Sequence, residues 1–204
     1  MINAVLFDFD GVLTTDATGS QSIFRYIAQQ CDIDIEKFKQ VYYKYNKDLI
    51  CGNTTHADIW ENLCTDLGAD IPISVLYDSF INTPIDEKMI DIAYKLKENG
   101  YKIGMITDNK CDRIDSIIAH HKWNDLFDTL SISADCGSGK RQQDIFINAL
   151  DKLRENAEKC VFIDNKMDNL TMPKTLGMAT LFFDDAKRDI QKLVGDIQKL
   201  KVNI

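Results

Sequence analysis

The sequence predicts an α/β fold, a doubly wound, Rossmann-like parallel sheet with a helical module inserted after its first strand. Three observations predict it. Five apolar runs of strand length recur, at Asn3 to Phe9, Lys102 to Thr107, Thr129 to Ser133, Cys160 to Asp164 and Ala179 to Phe183. They lack the polar alternation of a half-exposed strand, so they suit strands buried on both faces. The later runs alternate with segments of helical spacing, the signature of βα units. One interval, 15 to 84, has no strand-like run at all.

Taken in order, the first run forms the opening strand. The interval after it contains four amphipathic stretches, Ser22 to Gln30, Ile35 to Ile50, His56 to Leu67 and Ser74 to Ile81. Cys51-Gly52-Asn53 and Gly68-Ala69-Asp70 supply turn residues between them. Ile90, Ala93, Tyr94 and Leu96 then mark a helix ending before Gly100 and the second strand. Ile114, Ile117 and Ile118 mark the helix after that strand. Ile145, Phe146, Ala149, Leu150 and Leu153 follow the third, and Met172, Leu176 and Gly177 the fourth. Right-handed crossovers place these helices on both faces of the sheet. The expected division is a core of residues 1–14 and 85–204 and a helical module of residues 15–84, with no internal repeat.

Length and charge bound the function. A chain of 204 residues with 45% hydrophobic and 27% charged side chains has enough material for one stable core. Its 24 basic against 32 acidic residues give a formal charge of −8. Nucleic acid and anionic membrane surfaces are therefore not expected partners without a concentrated basic patch, and none of useful length occurs. Lys152, Lys159, Lys187 and Arg188 alternate with Glu155, Glu158, Asp184 and Asp185, which reads as solvated helix faces. If the ligand is anionic, particular lysines or a metal ion must reverse the sign locally.

The cysteines at 31, 51, 64, 111, 136 and 160 form no C-x-x-C pair, and the three histidines offer no zinc cluster. Met1 to Phe9 has no basic leader and reaches an Asp at position 8, and no apolar run approaches a membrane span. The expectation is a cytoplasmic protein with reduced thiols.

In a doubly wound sheet, ligands bind beyond the carboxyl ends of the strands. Those ends are acidic or hydroxyl-bearing here: Asp8-Phe9-Asp10-Gly11-Val12, Thr107-Asp108-Asn109, and Asp164-Asn165 followed by Asp168. Any single Asp or Asn there is explained as a strand exit or helix cap. Asp8, Asp10 and Asp164 together are not, because like charges at one sheet edge repel unless a cation neutralises them. Oxygen-only ligands favour Mg²⁺, which also attracts an anion to an acidic protein.

These residues resemble the haloacid dehalogenase superfamily. Asp8-Phe9-Asp10-Gly11-Val12, Thr107 after an apolar strand, Lys140 ahead of an Asp-Ile-Phe helix start, and Asp164 after Val-Phe-Ile are similar to its four motifs in order. Gly52 through Leu67, with Trp60, resembles its inserted helical cap. The resemblance implies that Asp8 is a nucleophile forming an aspartyl phosphate, and that Asp10 is the general acid and then the base. It implies that Asp8, the Asp10 carbonyl and Asp164 hold Mg²⁺. Thr107 and the backbone N–H of Asp108, at the start of the following helix, would bind the phosphoryl group. Lys140 would neutralise charge on Asp8 and the phosphate, and Asp168 would support or replace a metal ligand.

Two departures accompany the resemblance. The motif-three lysine is commonly followed by Pro-Asp-Pro, whereas this chain reads Lys140-Arg141-Gln142-Gln143-Asp144. Asp164 is followed by Asn165 rather than a second acid, leaving open whether Asp168 or Asn169 compensates. Gly137-Ser138-Gly139-Lys140 is not a P-loop, since Ala134 occupies the first glycine position and Arg141 follows the lysine.

The expected activity is a Mg²⁺-dependent phosphatase acting on a small phosphorylated metabolite, because an alcohol leaving group needs the proton that Asp10 supplies. The alternatives are a phosphoryl-transferring mutase of the β-phosphoglucomutase type and a non-catalytic binding protein of the same fold. Arg25, Thr55, His56 and Trp60 are candidates for the substrate side of the pocket. The three histidines otherwise read as surface or helix-face residues, and Tyr42, Tyr43 and Tyr45 as packing within the helical module. Hinges are expected near Thr15 to Gly19 and Asn82 to Asp86. Oligomeric state is not legible.

Overall fold

The computed structural model describes residues 1–204. Strand β1 (Ala4–Phe7) is buried along its whole length, as a run without polar alternation requires. It ends in one wide turn over Phe9–Leu13, closed by the Thr14 N–H donating to the Phe9 carbonyl at 3.1 Å. Gly11 in that turn has φ +87, and a Cβ there would lie 2.2 Å from Asn165 Nδ2. Both the backbone conformation and the close approach exclude a side chain.

Four helices follow: α1 (Gly19–Cys31), α2 (Ile35–Cys51), α3 (His56–Leu67) and α4 (Ile73–Ile81). The Asp34 carboxylate accepts the Lys37 N–H at the start of α2, and Thr55 with Asp58 forms a reciprocal capping box on α3. Both helices stop at a left-handed glycine, Gly52 and Gly68. The chain then returns beside its own exit. Thr14 and Ile85 form an antiparallel bridge, with Thr15 N–H donating to Pro84 O at 3.0 Å and Asp86 N–H to Leu13 O at 2.9 Å.

From there helices and strands alternate as expected: α5 (Glu87–Glu98), β2 (Lys102–Thr107), α6 (Cys111–His121), β3 (Thr129–Ile132), the single turn α7 (Ser133–Cys136), and α8 (Asp144–Leu153). The chain closes with β4 (Cys160–Asp164), α9 (Thr171–Thr175), β5 (Ala179–Phe182) and α10 (Ile190–Lys199). The sheet is fully parallel in the order β3-β2-β1-β4-β5. The strand order reverses direction at β1, so the crevice between β1 and β4 is the topological switch point.

The core has two faces because side chains alternate across the sheet. Val5, Phe7, Ile103 and Met105 pack with α5, α6, α10 and the inward faces of α1 to α4. Ala4, Leu6, Ile106 and Phe162 face the other way against Ile145, Phe146, Ala149 and Leu153 of α8. Phe146 and Phe162 meet edge to face there at 5.4 Å. No helix is long and apolar enough to cross a membrane.

Two features correct the sequence reading. Helix α10 closes the chain, with the Asp189 carboxylate capping Lys192 N–H and Leu193 and Ile197 buried. Lys187 and Arg188 lie in the turn before it, and Arg188 is not a solvated helix residue. Its guanidinium donates to Asp86 Oδ2 at 2.6 and 2.8 Å and to the carbonyls of Gly11 and Val12 at 3.1 and 3.0 Å. The planar fork of an arginine can satisfy a carboxylate and two carbonyls at once, which ties the wide turn after β1 to the return of the helical segment.

Candidate active site

Register alone brings two carboxylates together. Phe7 pairs with Met105 on one side and Ile163 on the other. The next residues along these strands are Asp8 and Asp164, at the edge of the switch-point crevice. Asp8 Oδ1 accepts the Phe9 N–H at 2.7 Å and is paired with Lys140 Nζ at 2.7 Å, while its Oδ2 makes no hydrogen bond within the chain. Lys140 Nζ also donates to Asp164 Oδ2 at 2.7 Å. One lysine thus bridges two buried carboxylates.

Burial pushes the Asp8 carboxyl up to about 7, and Asp164 and Asp10 push in the same direction, against the stabilising charge of Lys140. Burial would lower the Lys140 ammonium, but Asp8, Asp164 and Asp108 outweigh it and raise its pKa above the ordinary lysine value. The lysine stays charged between the two carboxyl groups.

Lys140 reaches this position from a loop, and the loop is held without the prolines of the familiar motif. Asp108 Oδ1 accepts the Lys140 backbone N–H at 2.8 Å, and Ser138 Oγ donates to Gln142 Oε1 at 2.9 Å. Asp108 therefore anchors the lysine loop as well as lining the cleft. Helix α6 starts at Cys111, so the Asp108 N–H lies ahead of the helix and not in its first turn. Thr107 ends β2 buried, its hydroxyl oxygen accepting from Asn109 Nδ2 at 3.3 Å.

Asp164 is oriented by two donors besides Lys140. Lys166 N–H donates to Oδ1 at 2.7 Å, and Asn169 Nδ2 approaches both oxygens at 3.1 Å. Of the two residues that the sequence left as candidates, Asn169 contacts Asp164. Asp168 is 82% exposed and faces Arg141 at 3.7 Å, away from the acids.

The Asp10 carboxyl is gripped by a residue that the sequence reading did not single out. Arg113, fully buried on α6, donates from Nη1 and Nη2 to the two Asp10 oxygens at 2.9 Å each, and Asn109 Nδ2 adds a third bond at 2.8 Å. Arg113 itself is held by Asn109 Oδ1 and Thr83 Oγ1. Gly19 makes room for it, since a Cβ there would lie 2.2 Å from Arg113 Nη1. The sequence did carry one signal: Arg113 stands on the helix face otherwise occupied by Ile114, Ile117 and Ile118.

Asp8, Asp10, Thr107, Asp108 and Lys140 all line one cleft of about 330 Å³, closed on its far side by Ala17 to Ser20 and by Tyr43, Asn46 and Ile50 of α2. None of Arg25, Thr55, His56 or Trp60 lines it. Arg25 is exposed beside Asp16, Thr55 caps α3, and Trp60 Nε1 donates to the Ile71 carbonyl at the rim of a separate, shallow hollow. His56 is neither on the surface nor in the cleft. It is fully buried between Asp112 Oδ2 at 2.7 Å from Nδ1 and the Tyr42 hydroxyl at 2.8 Å from Nε2. Tyr42 packs inside the helical segment as expected, whereas its neighbour Tyr43 faces the cleft.

The residues fit a hard divalent cation. The donors are oxygen only, the acids are buried, and Asp8 Oδ2 is without a hydrogen-bond partner. Asp8, the Asp10 backbone carbonyl and Asp164 are the groups that would hold it.

Comparisons with known proteins give the family and the fold. Residues 2–177 match the haloacid dehalogenase-like hydrolases, and the chain belongs to that family of hydrolases. Among curated proteins, the sesquiterpene phosphatase astK of Aspergillus oryzae is 26% identical over 114 residues, which cover 54% of this chain and 58% of that protein. The chain thus matches less than two thirds of that relative's own length. A predicted HAD-like family hydrolase from Porphyromonas gingivalis superposes with a TM-score of 0.75 at 20% identity over the whole of both chains. A HAD family enzyme from Bacteroides thetaiotaomicron, crystallised with magnesium and inorganic phosphate, gives 0.69 at 20% identity over 95% and 99% of the two chains. At these identities the superpositions establish the shared fold.

Proposed function

We propose that the protein is a Mg²⁺-dependent phosphatase of small phosphomonoesters, with Asp8 as nucleophile and Asp10 as general acid and base. The observation that carries the reading is the convergence of Asp8, Asp164 and Lys140 at the switch point with Asp10 lining the same cleft. When bound, Mg²⁺ would supply positive charge that offsets the phosphoryl oxygens. The relative named as a phosphatase, and the structural neighbour holding magnesium and phosphate, support this class of substrate.

An Asp8 carboxylate oxygen attacks phosphorus, forming the O–P bond of an aspartyl phosphate as the bond to the leaving oxygen breaks. Asp10, protonated for this step, gives that oxygen its proton. Asp10 then takes a proton from water, whose oxygen attacks phosphorus, releasing inorganic phosphate and restoring Asp8. Lys140, the Thr107 hydroxyl and nearby backbone N–H groups stabilise the charge that develops on the phosphoryl oxygens. Arg113 and Asn109 aim the Asp10 carboxyl.

Residues 15–84 serve as the cap that closes over the substrate, flexing where Thr14 and Thr15 meet Pro84 and Ile85. The six cysteines are all unpaired, which supports a reducing, cytoplasmic setting. Hydrolysis of p-nitrophenyl phosphate with Mg²⁺ tests the activity. Release of phosphate by the parent protein and its loss in Asp8→Asn is the expected result, and equal release by both disproves the assignment.

A further inference from the structure

One buried cation in the cleft has no role in the chemistry just described. Lys110 caps the start of α6, its residue is 5% exposed, and its side chain lines the cleft. Its ammonium makes no ion pair and no hydrogen bond, and the face of the Tyr42 ring, 5.6 Å away, is its sole aromatic partner. The other buried lysine of the cleft, Lys140, is fully engaged by Asp8 and Asp164. Across the cleft, Asn46 of α2 has a side-chain oxygen that is buried without a hydrogen-bond partner. An ammonium without a counter-charge on a buried residue and a buried amide oxygen without a donor each cost stability, and both are relieved by a ligand that supplies what they lack.

We propose that Lys110 and Asn46 form a second polar subsite that reads a carboxylate on the leaving group, so that the substrates are phosphate esters of small hydroxy acids. The proposal rests on the phosphatase reading above. The complement is a carboxylate because Lys110 brings the one buried positive charge of the subsite, the other cleft cations, Arg141 and Lys166, being exposed and Arg141 facing Asp168. A second phosphate would carry nearly two negative charges at neutral pH and would meet only one. Asn46 accepts a hydrogen bond from a hydroxyl beside that carboxylate, or donates to the carboxylate itself if its amide is turned. The leaving group must be small, because about 330 Å³ is at the lower end of the roughly 300–1,000 Å³ of small-molecule sites and has to hold the phosphoryl group too.

The cleft walls agree. Ala17, Tyr43 and Ile50 are their apolar members, and the remainder are polar or charged. A long hydrocarbon leaving group finds no matching surface there. Burial, followed by the charge of Arg113, pulls the Lys110 ammonium down to about 8, with Asp10 and Asp112 opposing, so it remains largely charged at neutral pH.

The test uses size-matched pairs that differ in the carboxylate: 3-phosphoglycerate against glycerol 3-phosphate, and phospholactate against its amide. With Mg²⁺ the parent protein should favour each acid by at least ~10-fold in kcat/KM, the worth of one charge-assisted contact. In Lys110→Met that ratio should fall toward one, and Lys110→Arg should restore part of it. Lys110→Met should melt no lower than the parent, because it removes an unpaired buried charge, so that a lost preference is not a lost fold. Calorimetric binding of the same pairs to Asp8→Asn protein reads the subsite without turnover.

A ratio near one in the parent, an unchanged ratio in Lys110→Met, or a stronger preference for a bisphosphate overturns the subsite. Failure to hydrolyse p-nitrophenyl phosphate or either pair overturns the phosphatase reading instead. The calorimetric preference then still decides whether Lys110 reads a carboxylate.

Discussion

Arg113 and Asp10 form a two-pronged ion pair, each terminal nitrogen of the guanidinium 2.9 Å from one carboxylate oxygen, across 103 residues of sequence. The pair joins the turn after β1 to the first turn of α6. It fixes where the proton of the proposed acid is delivered, and the distance over which an acid can act is a fraction of an ångström wide.

Replacing Arg113 by Lys keeps the charge but loses the fork. The expected outcome is a fall in kcat of ~10–100-fold with little change in KM, since Arg113 does not line the cleft. Steady-state kinetics with a phosphomonoester checks this. Combined with Asp10→Asn, the loss should be no larger than that of Asp10→Asn alone, because both changes remove one function.

Stability in the absence of metal should depend on Asp8. Its ordinary value is 3.8, and in the folded chain burial raises it to about 7. Folded protein therefore binds the proton more tightly than unfolded protein. That stabilisation is full below pH 3.8 and is lost as pH rises to about 7. Mg²⁺ binds the ionised form, so its effect on Tm should be greater at pH 8 than at pH 5. Melting curves with and without Mg²⁺ at the two values test this, and Asp8→Asn should lose most of the difference.

His56 has the opposite sign. Burial lowers it from the ordinary 6.5, against the hydrogen bond and charge of Asp112. The neutral ring donates from Nδ1 to Asp112 and accepts at Nε2 from Tyr42, whose own pKa is raised by burial so that its hydroxyl keeps its proton. Its contribution is present above pH 6.5 and declines as pH falls below that value, because the unfolded chain protonates first. With Mg²⁺ saturating, Tm should drop between pH 7 and 5.5, and His56→Gln should flatten that drop.

The same variant should cost about 1–3 kcal/mol at pH 7.5, the usual cost of leaving a buried partner unsatisfied. Denaturant unfolding measures it. Because Asp112 precedes Arg113 on α6 and Tyr42 precedes Tyr43 on α2, activity should fall as well, through a displaced Arg113, and not through any contact of His56 with substrate.

The sheet was legible because its strands are short and buried on both faces. Cys160–Asp164 and Lys102–Thr107 have the bounds that their apolar runs suggested. Helix α3 likewise spans His56–Leu67 as expected, since Thr55 and Asp58 mark its start and Gly68 its stop. Helix α10 carried an equally readable signal, Ile190, Leu193, Val194 and Ile197, obscured by the charged residues just before it. The acids at the strand ends were legible for the same reason as the strands, since register in a parallel sheet brings Asp8 and Asp164 side by side without further help.

The amino-acid sequence by itself determined which residues gather at the strand ends: two acids on the first strand's exit, a third on the fourth strand, a threonine and a lysine between them. Tertiary structure decided what surrounds each of them. Arg113 on Asp10, His56 on Asp112 and the unpartnered Lys110 depend on partners tens of residues distant, and on whether burial leaves a charge satisfied or exposed to a ligand. Periodicity and turn chemistry encode local conformation over a few residues, whereas desolvation and ion pairing exist once distant segments have packed.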